Sequence, residues 1–185
     1  MTDKKELNNK IMQTGAKQTR LVDPILSELD QEAEITKRLL DIVPEDKLDW
    51  RPHQKAKSLG ELAMHLAVLQ GNVAQLGNED VRDVTDIPRS EPDATSRQQL
   101  LQTFSESLAK AKEIVDSTHD QKAVREWQLT KDGQTVISMP RNAFWRTVLL
   151  NHNYHHRGQL STYLRTLDVP LPSVYGPSAD TDPFA

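Results

Sequence analysis

Four stretches of the chain repeat apolar residues at steps of three and four, and this repeat constrains the fold more than any other feature of the sequence. The spacing is that of one face of an α-helix. It predicts helices over residues 23–42, 58–77, 95–117 and 140–167. Helices of ~20 residues are about 30 Å long. The predicted fold class is therefore all-α, a four-helix bundle.

The predicted helix starts carry local signals. Asp23 precedes Pro24, which is typical of an N-cap followed by the first helical residue. Ser58 has Glu61 three residues later, the spacing of a capping box. Pro140 opens the last predicted helix. Each signal lies within a few residues of its helix, so these helix starts need no long-range contact to form.

The connections are long for a simple bundle. Residues 78–94 contain Pro88 and Pro92 and few apolar side chains, which predicts a linker. Two alternating runs, 126–129 and 135–138, flank an Asp-Gly pair and predict a small β-hairpin before the last helix. We expect residues 1–20 to be a mobile N-terminal arm. Residues 21–185 are predicted to form a single bundle domain with an ordered C-terminal tail.

Composition excludes several functions. The formal net charge is −4, which argues against a general nucleic-acid binder. No apolar run approaches the ~20 residues that span a bilayer, and residues 1–20 do not read as a signal peptide, so we expect a cytoplasmic protein with no membrane partner. The chain has no cysteine, which excludes disulfides, thiolate nucleophiles and Cys-held metal sites. A metal ion must therefore bind histidine, carboxylate or main-chain oxygen.

The histidines are the strongest candidates for function. Three of the six lie within residues 151–156, and His152 and His156, four apart, share one helix face. His65 lies among leucines in the second predicted helix and is expected to face the core. A divalent cation explains three buried imidazoles, and a hydrogen-bonded polar cluster is the alternative. His155, three after His152, could also chelate, but it cannot point the same way as His156.

Two familiar metal sites do not fit this spacing. A zincin needs Glu directly after the first His, and Asn153 stands there. A di-iron bundle needs Glu-x-x-His on two helices, but Glu61 lies four residues before His65, and residues 140–167 contain no acid. The spacing therefore favours a mononuclear site with three nitrogen ligands and open positions for water or substrate.

Several short segments follow one another in a fixed order along the chain. They are Trp50-Arg51-Pro52, residues 58–66 with His65, Met139-Pro140-Arg141, His152 with His156-Arg157-Gly158-Gln159, and the tail segments Val169-Pro170 and 175–180. Together they resemble the DinB/YfiT-like family of metalloenzymes over about residues 24–182. One departure is Lys57, where many relatives have an aromatic residue.

The resemblance implies a four-helix bundle, often dimeric, that binds one divalent metal ion through His65, His152 and His156. His156 is chosen because the family histidine directly precedes Arg-Gly-Gln. Characterised relatives include thiol transferases and thiol-dependent isomerases that use bacillithiol, mycothiol or glutathione.

We therefore expect a homodimeric, divalent-metal-dependent enzyme, with zinc or nickel, that transfers or activates a low-molecular-weight thiol. Two alternatives stay open. One is a metal-dependent hydrolase on the same site. The other is a non-catalytic, metal-stabilised binding or stress-response module. No obvious general base accompanies the histidines, which favours transfer over hydrolysis.

Residues near the histidines have both functional and structural interpretations. Gln159 is expected to hydrogen-bond near the metal or to cap a polar pocket. Glu61 is a candidate acceptor for an imidazole N–H, or serves only in the capping box. Gly158 is expected to permit a close neighbour. Arg157 is a candidate for binding an anionic substrate group, but a surface or tail ion pair, with Asp180 as the candidate partner, is favoured.

Overall fold

A computed structural model describes residues 19–88 and 90–184, which are mostly helical with a small three-stranded sheet. The predicted N-terminal arm lies outside the described residues except for Thr19 and Arg20. The helices are α1 (Asp23–Leu40), α2 (Leu59–Leu76), α3 (Arg97–Asp116), the single turn α4 (Asp120–Ala123), α5 (Arg141–Phe144) and α6 (Asn151–Thr166). The strands are β1 (Val81–Asp83), β2 (Glu126–Lys131) and β3 (Gln134–Pro140).

The fourth predicted helix is continuous but changes its winding. A π-helical segment, Trp145–Leu150, joins α5 to α6. It shifts the hydrogen-bond ladder from i→i−4 to i→i−5 for one turn, so one extra residue enters the helix. The segment ends one residue before α6 begins, close to the predicted metal ligands. Nothing in the apolar spacing distinguishes such a turn from ordinary α-helix.

The predicted helix starts are partly confirmed. The Ser58 hydroxyl accepts the Glu61 N–H at 3.1 Å, and the Glu61 carboxylate accepts the Ser58 N–H at 2.5 Å, which completes the capping box. The N-cap prediction for Asp23 is wrong, because Val22 occupies that position. Asp23 instead accepts the backbone N–H and the guanidinium of Arg20, both at 2.9 Å. An ion pair with the preceding residues therefore takes the place of the side-chain cap.

The predicted hairpin is confirmed and gains a third strand. β2 and β3 pair antiparallel around Asp132 and Gly133, whose φ angles of 52° and 75° suit a two-residue turn. Strand β1 pairs parallel to β2, with Val81 opposite Gln128, in the segment predicted as a linker. Three residues are too few to show alternation, so the sequence pattern does not predict this strand.

The four long helices pack on one another, α2 against α3 and α6, and α1 against α3 and α6. α2 is the most enclosed, with buried residues on nearly every face. A Cβ placed on Gly77, just after α2, would lie 2.4 Å from Trp145 Nε1, so this glycine lets the π-helical segment pack closely. Among the described residues, no helix combines the length and the apolar character that crossing a membrane requires.

Candidate metal centre

The structure brings together the three histidines predicted from the sequence. His65 comes from α2, and His152 and His156 come from successive turns of α6. Their candidate ligand atoms all lie within 4.8 Å of one another. The Nε2 atoms of His65 and His152 are 3.4 Å apart, and the His65 and His156 ring centroids are 4.3 Å apart. Three imidazoles from two helices therefore surround one point.

The geometry of α6 separates His156 from His155. Adjacent helical residues differ in direction by ~100°. His156 is half-buried and joins the cluster, whereas His155 is exposed and lies outside it. The choice that spacing left open is therefore made by how α6 packs, and the cluster contains the residue that the family resemblance selected.

The histidines lie beside the core rather than in it. The fully buried positions of α6 are Asn153, Arg157, Leu160 and Leu164. His152 and His156 occupy the neighbouring face and are half-buried, and the His65 side chain is 18% exposed. The prediction that these rings face the core is thus only partly right. Because they border solvent, a small molecule can reach them.

Two of the rings have an oriented outer nitrogen. His65 Nδ1 donates to the Glu91 carboxylate at 2.5 Å, and His156 Nδ1 donates to the Gln159 side-chain oxygen at 2.7 Å. A neutral ring that donates from Nδ1 carries its lone pair on Nε2. Both rings are therefore held in the tautomer that presents Nε2 to a metal, as is usual for metal-binding histidines.

The carboxylate that contacts His65 is not the one considered in the sequence analysis. Glu61 is held by the capping box and lies 3.6 Å from the Arg51 guanidinium. Glu91 comes from the linker before α3, 26 residues after His65, where no local pattern indicates a contact. Of the two interpretations of Gln159, the structure shows the hydrogen bond near the site, because Gln159 contacts His156.

Burial lowers the pKa of two of the three rings, His152 and His156. Burial lowers the pKa of His156 to about 4, although its hydrogen bond with Gln159 opposes the change. Burial and the neighbouring His65 also lower the pKa of His152. Burial raises the pKa of Glu91, but the hydrogen bond and charge of His65, with Lys57 and His156, more than offset it, so its pKa lies below the ordinary value. Lowered pKa values of His152 and His156, beside a carboxyl group whose pKa is also lowered, favour the unprotonated ligands that a cation needs.

A cleft of about 550 Å³ opens beside the cluster and is lined by His65 and Glu91. The loop 51–57 and the segment 90–93 form much of its wall. A larger cavity of about 620 Å³ lies between α1 and α3, and none of the three histidines lines it. Of the three histidines, only His65 lines the smaller cleft, so the cleft gives a ligand access to the cluster on the His65 side.

A polar network around the buried Arg157 holds α6 against α1. The Arg157 guanidinium pairs with the Glu32 carboxylate at 2.6 Å, with only 3% and 12% of the two side chains exposed. Arg157 also donates to the Tyr175 hydroxyl, which donates to Glu32 at 2.8 Å. The expected partner, Asp180, pairs with Arg165 instead. Arg157 thus fastens the helix next to His156 rather than lying at the surface.

Other interpretations of the α6 motif are also corrected. Gly158 has no atom within 4 Å of where its Cβ would lie, so it does not admit a close neighbour. Asn153, which follows His152, is buried and accepts a hydrogen bond from Gln70 of α2 at 2.9 Å. This contact joins the two helices that carry the histidines. Hydrophobic periodicity could not identify it, because both side chains are polar.

The donor set fits a divalent metal ion. Three imidazole nitrogens suit zinc, copper, iron or nickel better than magnesium or calcium, which prefer oxygen. The imidazoles converge from two helices that are joined by the hydrogen bond between Gln70 and Asn153. The cluster is thus consistent with a metal-binding site that has three nitrogen donors.

The chain matches the model of a known protein family. The DinB family model matches residues 12–182. No curated protein matches the chain.

Three similar crystal structures share the fold. A DinB-like protein from Bacillus subtilis is 19% identical, with 82% of this chain and 98% of that chain covered and a TM-score of 0.65. A DinB-like protein from Bacillus cereus is 21% identical, with 81% and 95% covered and a TM-score of 0.62. One from Exiguobacterium sibiricum, described as a member of the DinB family, is 18% identical, with 84% and 97% covered and a TM-score of 0.59. The family model spans nearly the whole chain, and the chain belongs to the DinB family.

Proposed function

We propose that this chain is a divalent-metal-dependent enzyme that activates a low-molecular-weight thiol and transfers it to an electrophile. The observation that carries the proposal is the convergence of His65, His152 and His156, with their candidate ligand atoms within 4.8 Å of one another. In this proposal the three Nε2 atoms hold zinc or nickel, and the enzyme acts as a homodimer on small-molecule substrates. It uses neither nucleic acid nor membrane as partner.

The bound ion supplies Lewis acidity, which favours the ionised form of a thiol at neutral pH. The chain itself supplies no thiol, because it has no cysteine, so the sulfur comes with a substrate. In the proposed reaction the thiol releases its proton to solvent, and its sulfur forms a bond to an electrophilic carbon. The leaving group departs with the electrons of the bond that breaks.

The residues around the histidines have separate roles in this proposal. Glu91 and Gln159 orient the rings of His65 and His156 through their Nδ1 atoms. Asn153 and Gln70 keep α6 in register with α2. Glu91, the carboxylate that contacts His65, accepts the His65 hydrogen bond, so it is not free to act as a base on water. This favours thiol transfer over hydrolysis.

Elemental analysis is the first test. The purified chain, after incubation with Zn²⁺ or Ni²⁺ and removal of free metal, is expected to retain about one ion per chain. The variants His65→Ala, His152→Ala and His156→Ala are expected to lose it. His155→Ala is the matched control, a histidine on the same helix that lies outside the cluster, and it is expected to retain the ion. A chain that stays metal-free, or equal loss in all four variants, contradicts the ligand assignment.

Thiol transfer is tested separately on the metal-loaded chain. Monochlorobimane and a panel of thiols are incubated with the wild type and with His65→Ala, and the fluorescent adduct is measured. The proposal predicts a rate that requires both the metal and an intact cluster. A loaded chain with no metal-dependent rate would remove the transferase function and leave the non-catalytic module. Metal-dependent ester or amide cleavage without thiol use would favour the hydrolase.

A further inference from the structure

Strand β3 forms an open edge of the three-stranded sheet. Among the described residues it pairs with β2 alone, in the strand order β1-β2-β3. Every residue of β3 except Met139 is exposed. Val136 and Ile137, both large and apolar, are 53% and 40% exposed. An exposed apolar strand edge is a template for pairing with another chain, and monomeric proteins usually protect such an edge.

The backbone of β3 presents hydrogen-bonding groups to this edge. The Gln128 N–H of β2 donates to the Asp80 carbonyl, on the β1 side, at 2.9 Å. In an antiparallel pair, a residue that hydrogen-bonds away from its neighbouring strand lies opposite a residue that does the same. Ser138 lies opposite Gln128, so its N–H and C=O groups point away from β2. Solvent or another strand must satisfy these two groups.

The two edges of the sheet differ in their protection. β1 has only three residues, of which Arg82 and Asp83 are charged, and Arg82 pairs with Glu79 at 2.9 Å. β3 has seven residues and none is charged, although 27% of the chain is charged and a segment of this length would carry about two charges. Short edge strands and edge charges both prevent pairing. The sheet is therefore protected at β1 and unprotected at β3.

The composition of β3 suits pairing with a second copy of itself. Two identical antiparallel strands are related by a two-fold axis, which closes the interface. With Ile137 on the axis, all seven residues of each strand overlap. The two Ile137 side chains then pack against each other, and each Val136 lies opposite Ser138 of the other copy. No like charges meet in this contact, although each chain carries a net charge of −4.

We propose that two copies of this chain associate through antiparallel pairing of their β3 strands, centred on Ile137, to form one six-stranded sheet. The inference rests on the proposed function in one respect, since it supplies the interface of the proposed homodimer, and it does not require the metal. The Trp127 indole N–H donates to the Leu76 carbonyl at 3.0 Å, which fixes the sheet to the end of α2. Leu76 follows His65 by eleven residues, about 16 Å along the helix, so the pairing leaves the cleft open.

Analytical ultracentrifugation of the full chain in the presence of a chelator tests the interface. One strand pair buries less than the ~1,200 Å² of a standard interface, so a reversible, concentration-dependent dimer is expected. Ile137→Lys places two like charges on the axis and is expected to raise the dissociation constant about tenfold or more. Val81→Lys is the matched control, because Val81 is an exposed apolar residue on the opposite edge of the same sheet, and it is expected to change nothing.

A backbone variant tests the hydrogen bonds separately. Ser138→Pro removes an N–H that points away from β2, so the hairpin is retained while the pairing of the two copies is expected to be lost. Far-UV circular dichroism and thermal melts establish that this variant and Ile137→Lys are folded. A folded Ser138→Pro chain that dimerises as strongly as the wild type contradicts the pairing.

Cysteine cross-linking tests the register directly. The chain has no cysteine, so an introduced cysteine reports on a single position. Because the backbone of Ser138 points outward, the neighbouring Ile137 forms a non-hydrogen-bonded pair with its copy. Cα atoms in such a pair are about 4.5 Å apart, within the range of a disulfide. Ile137→Cys is therefore expected to form a covalent dimer on mild oxidation, whereas Val81→Cys is expected to stay monomeric in denaturing gels.

The outcomes separate this inference from the metal function. A wild-type chain that stays monomeric up to about 1 mM overturns the inference. A dimer of equal strength in Ile137→Lys, or equal cross-linking of Val81→Cys, also overturns it, because another surface then carries the contact. Metal retention of Ile137→Lys is expected to equal that of the wild type. A wild type that dimerises through β3 but retains no ion supports the interface and contradicts the proposed metal site.

Discussion

The hydrogen bond between Glu91 and His65 gives the sharpest prediction about the metal centre. Substitution Glu91→Gln keeps the size of the side chain and an acceptor oxygen but removes the charge. Glu91→Ala removes the acceptor as well. Both changes leave His65, His152 and His156 in place, so metal binding is weakened but not abolished.

The size of the effect follows from the contact. Glu91 Oε1 lies 2.5 Å from His65 Nδ1, with 23% of the carboxylate side chain exposed, so the bond is charge-assisted and only partly solvated. Loss of such an outer partner typically costs about 10- to 100-fold in metal affinity. We expect about tenfold for Glu91→Gln, or about 1.4 kcal/mol, and up to about 100-fold for Glu91→Ala.

Competition with a fluorescent zinc chelator measures the dissociation constants at pH 7. Glu61→Gln is the matched control, because this carboxylate lies one turn from His65 on α2 but is engaged in the capping box. It is expected to lower stability without changing metal affinity. Unchanged affinity in both Glu91 variants, or an equal loss in Glu61→Gln, would refute the assigned role of Glu91.

Three further predictions concern stability. Arg157→Met leaves the largely buried Glu32 carboxylate without its guanidinium partner, so the free energy of unfolding measured in urea is expected to fall by about 3 kcal/mol. The double variant Arg157→Met/Glu32→Met is expected to recover part of this loss, and no recovery would contradict the pairing. Gly77→Ala places a Cβ against two aromatic rings and is expected to lower the free energy of unfolding by about 1–3 kcal/mol. Gly158→Ala, which has open space in mid-helix, is expected to raise it by about 0.5–1 kcal/mol. Thermal melts measure both changes, and a change of the same sign in the two variants would contradict the prediction. The pKa of His156 is lowered to about 4 in the folded metal-free chain, so the unfolded state binds more protons below about pH 6.5. The free energy of unfolding is therefore expected to fall as the pH decreases from about 6.5 to about 4. Thermal melts in the presence of a chelator should show a smaller fall in His156→Asn than in the wild type, and an equal fall would argue against a buried neutral ring.

The parts of the fold that depend on neighbouring residues were predictable. The capping box joins residues three apart, and the hairpin turn needs only the pair Asp132-Gly133. The shared face of His152 and His156 follows from the period of an α-helix. These features depend on spacings of a few residues, which can be counted in the sequence before any packing is known.

The surroundings of the histidines were not predictable in the same way. Glu91 reaches His65 from a segment that has no regular pattern, and Arg157 meets Glu32 across 125 residues of chain. β1 forms only because the linker passes beside the hairpin. Each contact depends on the path of a connection, and a connection of low apolar content carries no periodicity from which that path could be predicted.

The sequence by itself determined that the chain is mostly helical, that it has no cysteine, and that two histidines share one helix face. Only the tertiary structure decided that His65 meets them, that His155 does not, and that a carboxylate from a linker orients the site. The physical reason is the range of the interactions. Helix periodicity and capping act within one or two turns, whereas a metal centre needs side chains that are far apart in sequence and are brought together only by packing.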